Sequence, residues 1–211
     1  KSGKEGRPVV TYNGSVTMSK VSKTIDLMNG YEFVKLQDEI TLPEDMASSY
    51  YQDGRTLESY RDVQSYDWQD EIFRTAITNN HYVSLTGKKD ELKYAASLSA
   101  TNQKGVIIAS DFNRYQGRLN LDQKVNDKLS VSMNANYARS ITNGSTPSTS
   151  SWSATNNLMY SVWGYRPVSP TGSDLVDELV DPDINMAEDY RFNPVLSAKK
   201  KKKKKINDVL T

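Results

Sequence analysis

The chain has 211 residues, 36% of them hydrophobic, with no cysteine and a formal charge of +1. It therefore carries no disulfide and no Cys-ligated metal, and no apolar run approaches the roughly 18 residues of a membrane-spanning helix. Setting aside the seven lysines of Lys199–Lys205 leaves 20 basic against 26 acidic side chains, a net of −6, so a nucleic-acid partner would rest on one homopolymer and none is expected.

The chain opens at Lys1-Ser2-Gly3 with neither an initiator Met nor a signal peptide, which reads as an internal or mature piece of a longer protein. After a Gly/Lys/Arg/Pro linker, the first strand alternates cleanly. Val10, Tyr12, Gly14, Val16 and Met18 fall on one face and Thr11, Asn13, Ser15, Thr17 and Ser19 on the other. Between Val21 and Ala76 this period breaks. Tyr31, Val34, Leu36 and Ile40 have rough helical spacing, with Pro43 expected to end the helix. Asp45–Tyr66 is polar and Tyr-rich, and Asp67–Arg74 reads as one or two further helical turns around Trp68, Ile72 and Phe73. A connection of this length is functional or a domain of its own.

Alternation returns over 79–87, with His81, Val83 and Leu85 on one face, and again over 92–101, 112–125 and 129–141. Leu98, Leu119, Val131 and Met133 join the apolar face; Ser97, Asn120 and Asn134 join the polar one. Arg114, Arg118 and Asp122 stand four apart on the polar face of one strand and so project into a common space, where the two arginines are expected to pair with Asp122 or with neighbouring strands. The Thr142–Lys205 stretch reads as loop, with a short helix over Thr155–Trp163 and a further strand beginning at Ile206.

Long alternating strands suit two architectures. In a secreted β-sandwich the apolar face meets a second sheet; in a membrane barrel it meets lipid while the polar face lines a wet lumen. A crossing strand needs about 9–11 residues, which these runs supply. Short turns (Lys88–Glu91, Asn126–Lys128) also sort to one end and the longer connections (21–76, 102–111, 142–205) to the other, as in outer-membrane barrels with short periplasmic turns and long extracellular loops. The expected fold is all-β, an antiparallel up-and-down meander from a transmembrane β-barrel with short helices in its long loops. The apolar residues should face away from the concave side and the polar ones, Arg114, Arg118 and Asp122 included, the lumen.

Four segments carry a family resemblance: Lys1–Pro8 ahead of the first strand, Asp67-Trp68-Gln69-Asp70-Glu71-Ile72-Phe73-Arg74, Gln103–Asp122, and Phe192-Asn193-Pro194. In these the chain resembles SusC/RagA-type TonB-dependent transporters of the Gram-negative outer membrane. The resemblance implies that 1–8 is a plug-to-barrel junction and 9–211 the N-terminal part of the barrel. It further implies uptake of an oligosaccharide or peptide solute, a SusD-like lipoprotein over the loops, energy from the TonB complex acting on a plug, and contact with outer-membrane lipid.

No catalytic constellation emerges, and no cofactor is expected. His81 lacks companion ligands, and Asp70-Glu71 lacks a partner acid or nucleophile. Asp181-Pro182-Asp183-Ile184-Asn185 starts like a calcium loop, but Met186 stands where the turn glycine belongs and Phe192 where the bidentate Glu belongs. The candidate solute-binding residues are Trp152, Tyr160, Trp163, Tyr165 and Arg166; the four aromatic rings suit stacking on sugars or gripping peptide side chains. They serve equally as a small loop core or an interface belt. The alternative function is a secreted carbohydrate-binding sandwich that uses the same aromatics.

Overall fold

The computed structural model describes residues 6–144, 158–169, 193–200 and 203–211. It divides into two compact units, one built from 1–20, 75–144 and 202–211, the other from 21–74 and 145–201.

The first unit is a single six-stranded antiparallel sheet in chain order: β1 (Gly6–Ser19), β2 (Ala76–Lys89), β3 (Leu92–Lys104), β4 (Asp111–Asn126), β5 (Leu129–Gly144) and β6 (Lys203–Leu210). Strands β1 to β5 are 13–16 residues long, well beyond the usual five or six. Each extends past the span read from alternation, because ladder pairing continues where side chains stop alternating. β1 begins at Gly6, inside the stretch read as linker, and β6 begins at Lys203 rather than Ile206, within the lysine run.

Register aligns the stripes. Tyr12, Val83, Leu98, Gly117, Tyr137 and Leu210 are successive cross-strand partners, as are Val10, Leu85, Ala96, Leu119 and Ala135. Directly opposed residues share a face, so all five apolar stripes merge into one surface. The polar rows merge likewise: Thr11, Ser84, Ser97, Arg118 and Asn136 form one. The apolar surface is open. Val10 and Leu98 are each 68% exposed and Met133 is 52% exposed, and among the described residues there is one sheet, with no second sheet over them. A sandwich buries this face to hold itself together, so the architecture is not a sandwich.

Turn lengths follow the expected sorting. Two residues join β2 to β3, with Asp90 at φ 53, a left-handed turn conformation that Asp tolerates, and two join β4 to β5. The β3–β4 connection is tighter than expected, reduced to 105–110 and closed by Gly105 N–H donating to the Ser110 carbonyl at 2.9 Å. Both long excursions, 20–75 and 145–202, leave from and return to the opposite end of the strands from the two-residue turns.

The second unit holds the helices α1 (Gly30–Ile40), α2 (Pro43–Ser48), α3 (Trp68–Ile72), α4 (Leu158–Gly164) and α5 (Pro194–Lys200), with 3₁₀ turns at 52–54 and 57–60. Asn29 and Glu32 form a full capping box on α1, each side chain bonding the other's backbone N–H. Pro43 does not end α1. That helix stops at Ile40, and Pro43 opens α2, where a missing N–H costs nothing. A core of Val34, Met46, Tyr60 and Val168, joined by Phe33, Tyr50, Tyr51, Leu57 and Val63, gathers the stretch that looked polar. Tyrosine permits this because its ring packs while its hydroxyl bonds a backbone carbonyl, as Tyr60 does to Tyr50. The five-residue α3 is too short to be stable alone; it packs with α4 and α5.

Candidate functional site

The site in the second unit is built around Trp68. Asp67 caps α3, its carboxylate accepting from Gln69 N–H at 2.8 Å, and this turns Trp68 and Gln69 inward, each 1% exposed. The Trp68 indole donates to the Arg166 carbonyl at 2.9 Å and meets Tyr165 edge-on at 5.3 Å, with Tyr66 stacked on its other side at 5.8 Å. Tyr66 N–H donates to the Pro167 carbonyl, also at 2.9 Å. Gln69 clamps Ile25 by both amide atoms, donating to its carbonyl at 2.8 Å and accepting from its N–H at 3.0 Å. Segments more than forty residues apart in sequence are thereby fixed around one indole.

Beside it lies a cleft of about 380 Å³ lined by Met28, Phe33, Leu36 and Ile40 together with Tyr66, Trp163 and Tyr165, with Asp26 and Gln37 as polar points. Trp163 is 41% exposed, and Tyr160, one helical turn earlier on α4, meets its ring edge-on at 6.4 Å. The Arg166 guanidinium sits 5.8 Å from the Tyr165 ring. Of the five aromatic-cluster candidates, Trp163 and Tyr165 line the cleft, Tyr160 braces Trp163, and Arg166 holds Trp68 by its backbone and lies over Tyr165. Trp152 lies outside the described residues, as does the Asp181–Phe192 stretch.

Sequence reasoning missed the part of the lining that α1 supplies. Phe33, Leu36 and Ile40 are spaced three and four apart, a second apolar stripe on α1 beside the one centred on buried Val34. Reading two stripes rather than one would have found it. An apolar, aromatic-walled cleft with one carboxylate suits an amphipathic solute by stacking and burial. No described group of three or more His, Cys, Asp or Glu residues is arranged to hold a metal ion.

In the first unit Arg114, Arg118 and Asp122 do share the polar face of β4. Arg118 stands between Ser97 and Asn136, Arg114 between Thr101 and Ser140, and Asp122 between Lys93 and Ser132. Arg118 Nε donates to the Asn136 side chain at 3.3 Å. The expected pairing with Asp122 does not occur among the described ion pairs. Four residues along an extended strand are about 13 Å, beyond the reach of an ion pair between neighbours on one face. On the apolar face the His81 ring is satisfied locally: Tyr12 Oη lies 2.9 Å from Nδ1, and the rings stack at 6.2 Å.

Comparison with models of protein families finds no match. The TonB-dependent receptor SusC of Bacteroides thetaiotaomicron is 34% identical over 142 residues, 65% of this chain. TonB-dependent receptor P3 of Formosa agariphila is 28% identical over 144 residues. A structure of the RagAB peptide transporter superposes on 68% of the chain with a TM-score of 0.50 at 25% identity. The chain is similar to the SusC/RagA-type TonB-dependent transporters. It spans 13% of the length of each of these two relatives and 18% of the superposed chain. For a SusC/RagA-type chain the sheet is a section of barrel wall, which accounts for an apolar surface with no sheet upon it.

Proposed function

We propose that this chain forms part of an active outer-membrane importer whose solute is an oligosaccharide or a peptide, and that the cleft walled by Trp163 and Tyr165 contributes to solute capture. The observation that carries the import reading is the sheet of long strands whose apolar face lies open in a SusC/RagA-type chain. Lipid can cover such a face and water cannot do so without penalty. On this reading the polar face, with Arg114, Arg118 and Asp122, borders the solute path, and residues 1–8 join the barrel to a plug on which the TonB complex acts. A SusD-like lipoprotein caps the side bearing the long excursions. The name of the RagAB peptide transporter supports a peptide solute; aromatic walls serve sugars equally well. The importer does no chemistry on its solute.

The test is growth on a single oligosaccharide or peptide source. Deleting the gene should abolish growth on the cognate solute, and the Trp163→Ala/Tyr165→Ala double variant should weaken solute binding while barrel assembly stays normal. Unchanged solute affinity would remove the cleft from the binding site and leave those rings as a loop core.

A further inference from the structure

The first long excursion, which supplies most of the cleft beside Trp68, is acidic out of proportion to the rest of the chain. Residues 21–74 hold 12 Asp and Glu against 5 Lys and Arg, a net of −7, although the whole sequence carries +1. Several of these carboxylates have structural partners. Glu32 closes the capping box on α1, Asp67 caps α3, and Glu58 grips Arg61 at 2.8 Å. Asp26 differs. Among the described residues its carboxylate makes no ion pair and no hydrogen bond. The backbone just before it is pinned by the two Gln69 bonds to Ile25, and Gln69 is itself 1% exposed. Residue 26 is therefore fixed in place while its charge stays available.

Asp26 is also the one charged side chain, among the described residues, that lines the cleft. Arg166 follows Tyr165 in sequence, but its guanidinium lies over the Tyr165 ring and is not part of the lining. Most of the remaining surface is aliphatic, from Leu27, Met28, Leu36 and Ile40, or aromatic, from Tyr66, Trp163 and Tyr165. A sugar carries hydroxyls around its ring edge, and each one that loses water needs a partner. Aliphatic side chains offer none, and the Trp68 indole N–H is already engaged by the Arg166 carbonyl. An anionic solute would meet the Asp26 carboxylate in an acidic surround. An apolar side chain next to a cation suits every part of the lining: burial against the aliphatic groups, ring faces that attract ammonium or guanidinium, and a free carboxylate. A volume of about 380 Å³ lies near the small end of ligand pockets, roughly 300–1,000 Å³, and fits a short stretch of peptide. We propose that the cleft takes a basic amphipathic peptide, with an apolar side chain against Met28, Leu36 and Ile40 and a Lys or Arg at Asp26, so that Asp26 sets the charge preference of capture. The inference rests on the capture reading above and adds the class of solute. The surrounding acidity draws such peptides in from solution, a long-range pull that salt weakens.

The complete gene product, purified in detergent, is titrated with a short peptide of alternating leucine, phenylalanine and lysine, and with counterparts carrying glutamine or glutamate in place of lysine. Acetylation and amidation of the peptide ends leave the side chains as the only charges. The basic peptide should bind about five- to tenfold tighter than the glutamine one, and the glutamate one most weakly. Asp26→Asn should erase most of that preference and leave affinity for the glutamine peptide unchanged, which a misfolded variant would not do. Asp26→Lys should reverse the order. Added salt should shrink the preference in the unsubstituted protein. A preference that survives Asp26→Asn would overturn the inference. So would equal binding of the basic and glutamine peptides; if Trp163→Ala/Tyr165→Ala then weakened both, the capture reading would stand without the charge preference. No binding of any of the three peptides would remove peptides as the solute class, and the capture reading would then be decided by the growth test above.

Discussion

Leu119 and Asn120 are neighbours on β4, yet the pleat gives them opposite surroundings. Leu119 shares the apolar row of Val10 and Ala96, and Asn120 pairs with Ala95 and Asn134 on the other face. In the complete protein, Leu119→Arg should cost about 2–4 kcal/mol if it lies near the bilayer midplane, while Asn120→Arg should be close to neutral. Folding of the purified variants into lipid vesicles measures both; equal losses would contradict the face assignment. Tyr51 offers a residue-scale test in the second unit. Burial, and then a hydrogen bond to Asp38, push its hydroxyl from the ordinary 10 up to about 12. The raised value means the folded unit prefers the neutral phenol. Its stabilisation is therefore complete below pH 10 and is lost as pH rises from 10 towards 12. Tyrosinate absorbance lost on Tyr51→Phe should accordingly titrate near 12; a loss centred near 10 would place this ring in water.

Among the elements, α1 depends on its cap and α3 on its neighbours. Removing the Asn29 side chain strips one half of the capping box, so Asn29→Ala should destabilise α1 by about 1 kcal/mol, read as faster amide exchange over 30–40. Trp68→Ala reaches further. It removes the fully buried ring and the bond to the Arg166 carbonyl, and should cost about 3–5 kcal/mol in the second unit. Because Trp163 and Tyr165 follow Arg166's segment, solute binding should fall as well. Trp68→Phe keeps a single ring in the site and loses the indole donor with part of the ring volume, so it should cost less than Trp68→Ala; an equal loss would show that the retained ring contributes little.

For the whole molecule, strand parity sets the sidedness. Both long excursions leave from the end of the sheet opposite the two-residue turns. Under the import reading that end faces the medium, so protease added to intact cells should nick 20–75 or 145–202. Cleavage only after the outer membrane is permeabilised would invert the orientation. These excursions hold all three tryptophans, Trp68, Trp152 and Trp163, and in such connections residues escape the lipid constraint and are available for recognition.

The sequence by itself determined the sheet. Alternation is local: each Val, Tyr, Leu or Met at every second position announces its face without knowledge of the rest of the chain, and turn residues give the order of strands. Hence five strands, their faces and the sorting of their loops were legible, and the family likeness added the setting. Three things needed tertiary structure. Register decided which apolar residues of the different strands stand side by side, because the offset between strands is a property of pairs and appears on neither strand alone. The start of β6 inside a lysine run was decided by pairing with β5, which overrides composition. The cleft and its Trp68 support were decided by contacts across nearly a hundred residues, Trp68 to Arg166. No period or motif encodes such a contact; it exists only once both segments are folded against each other.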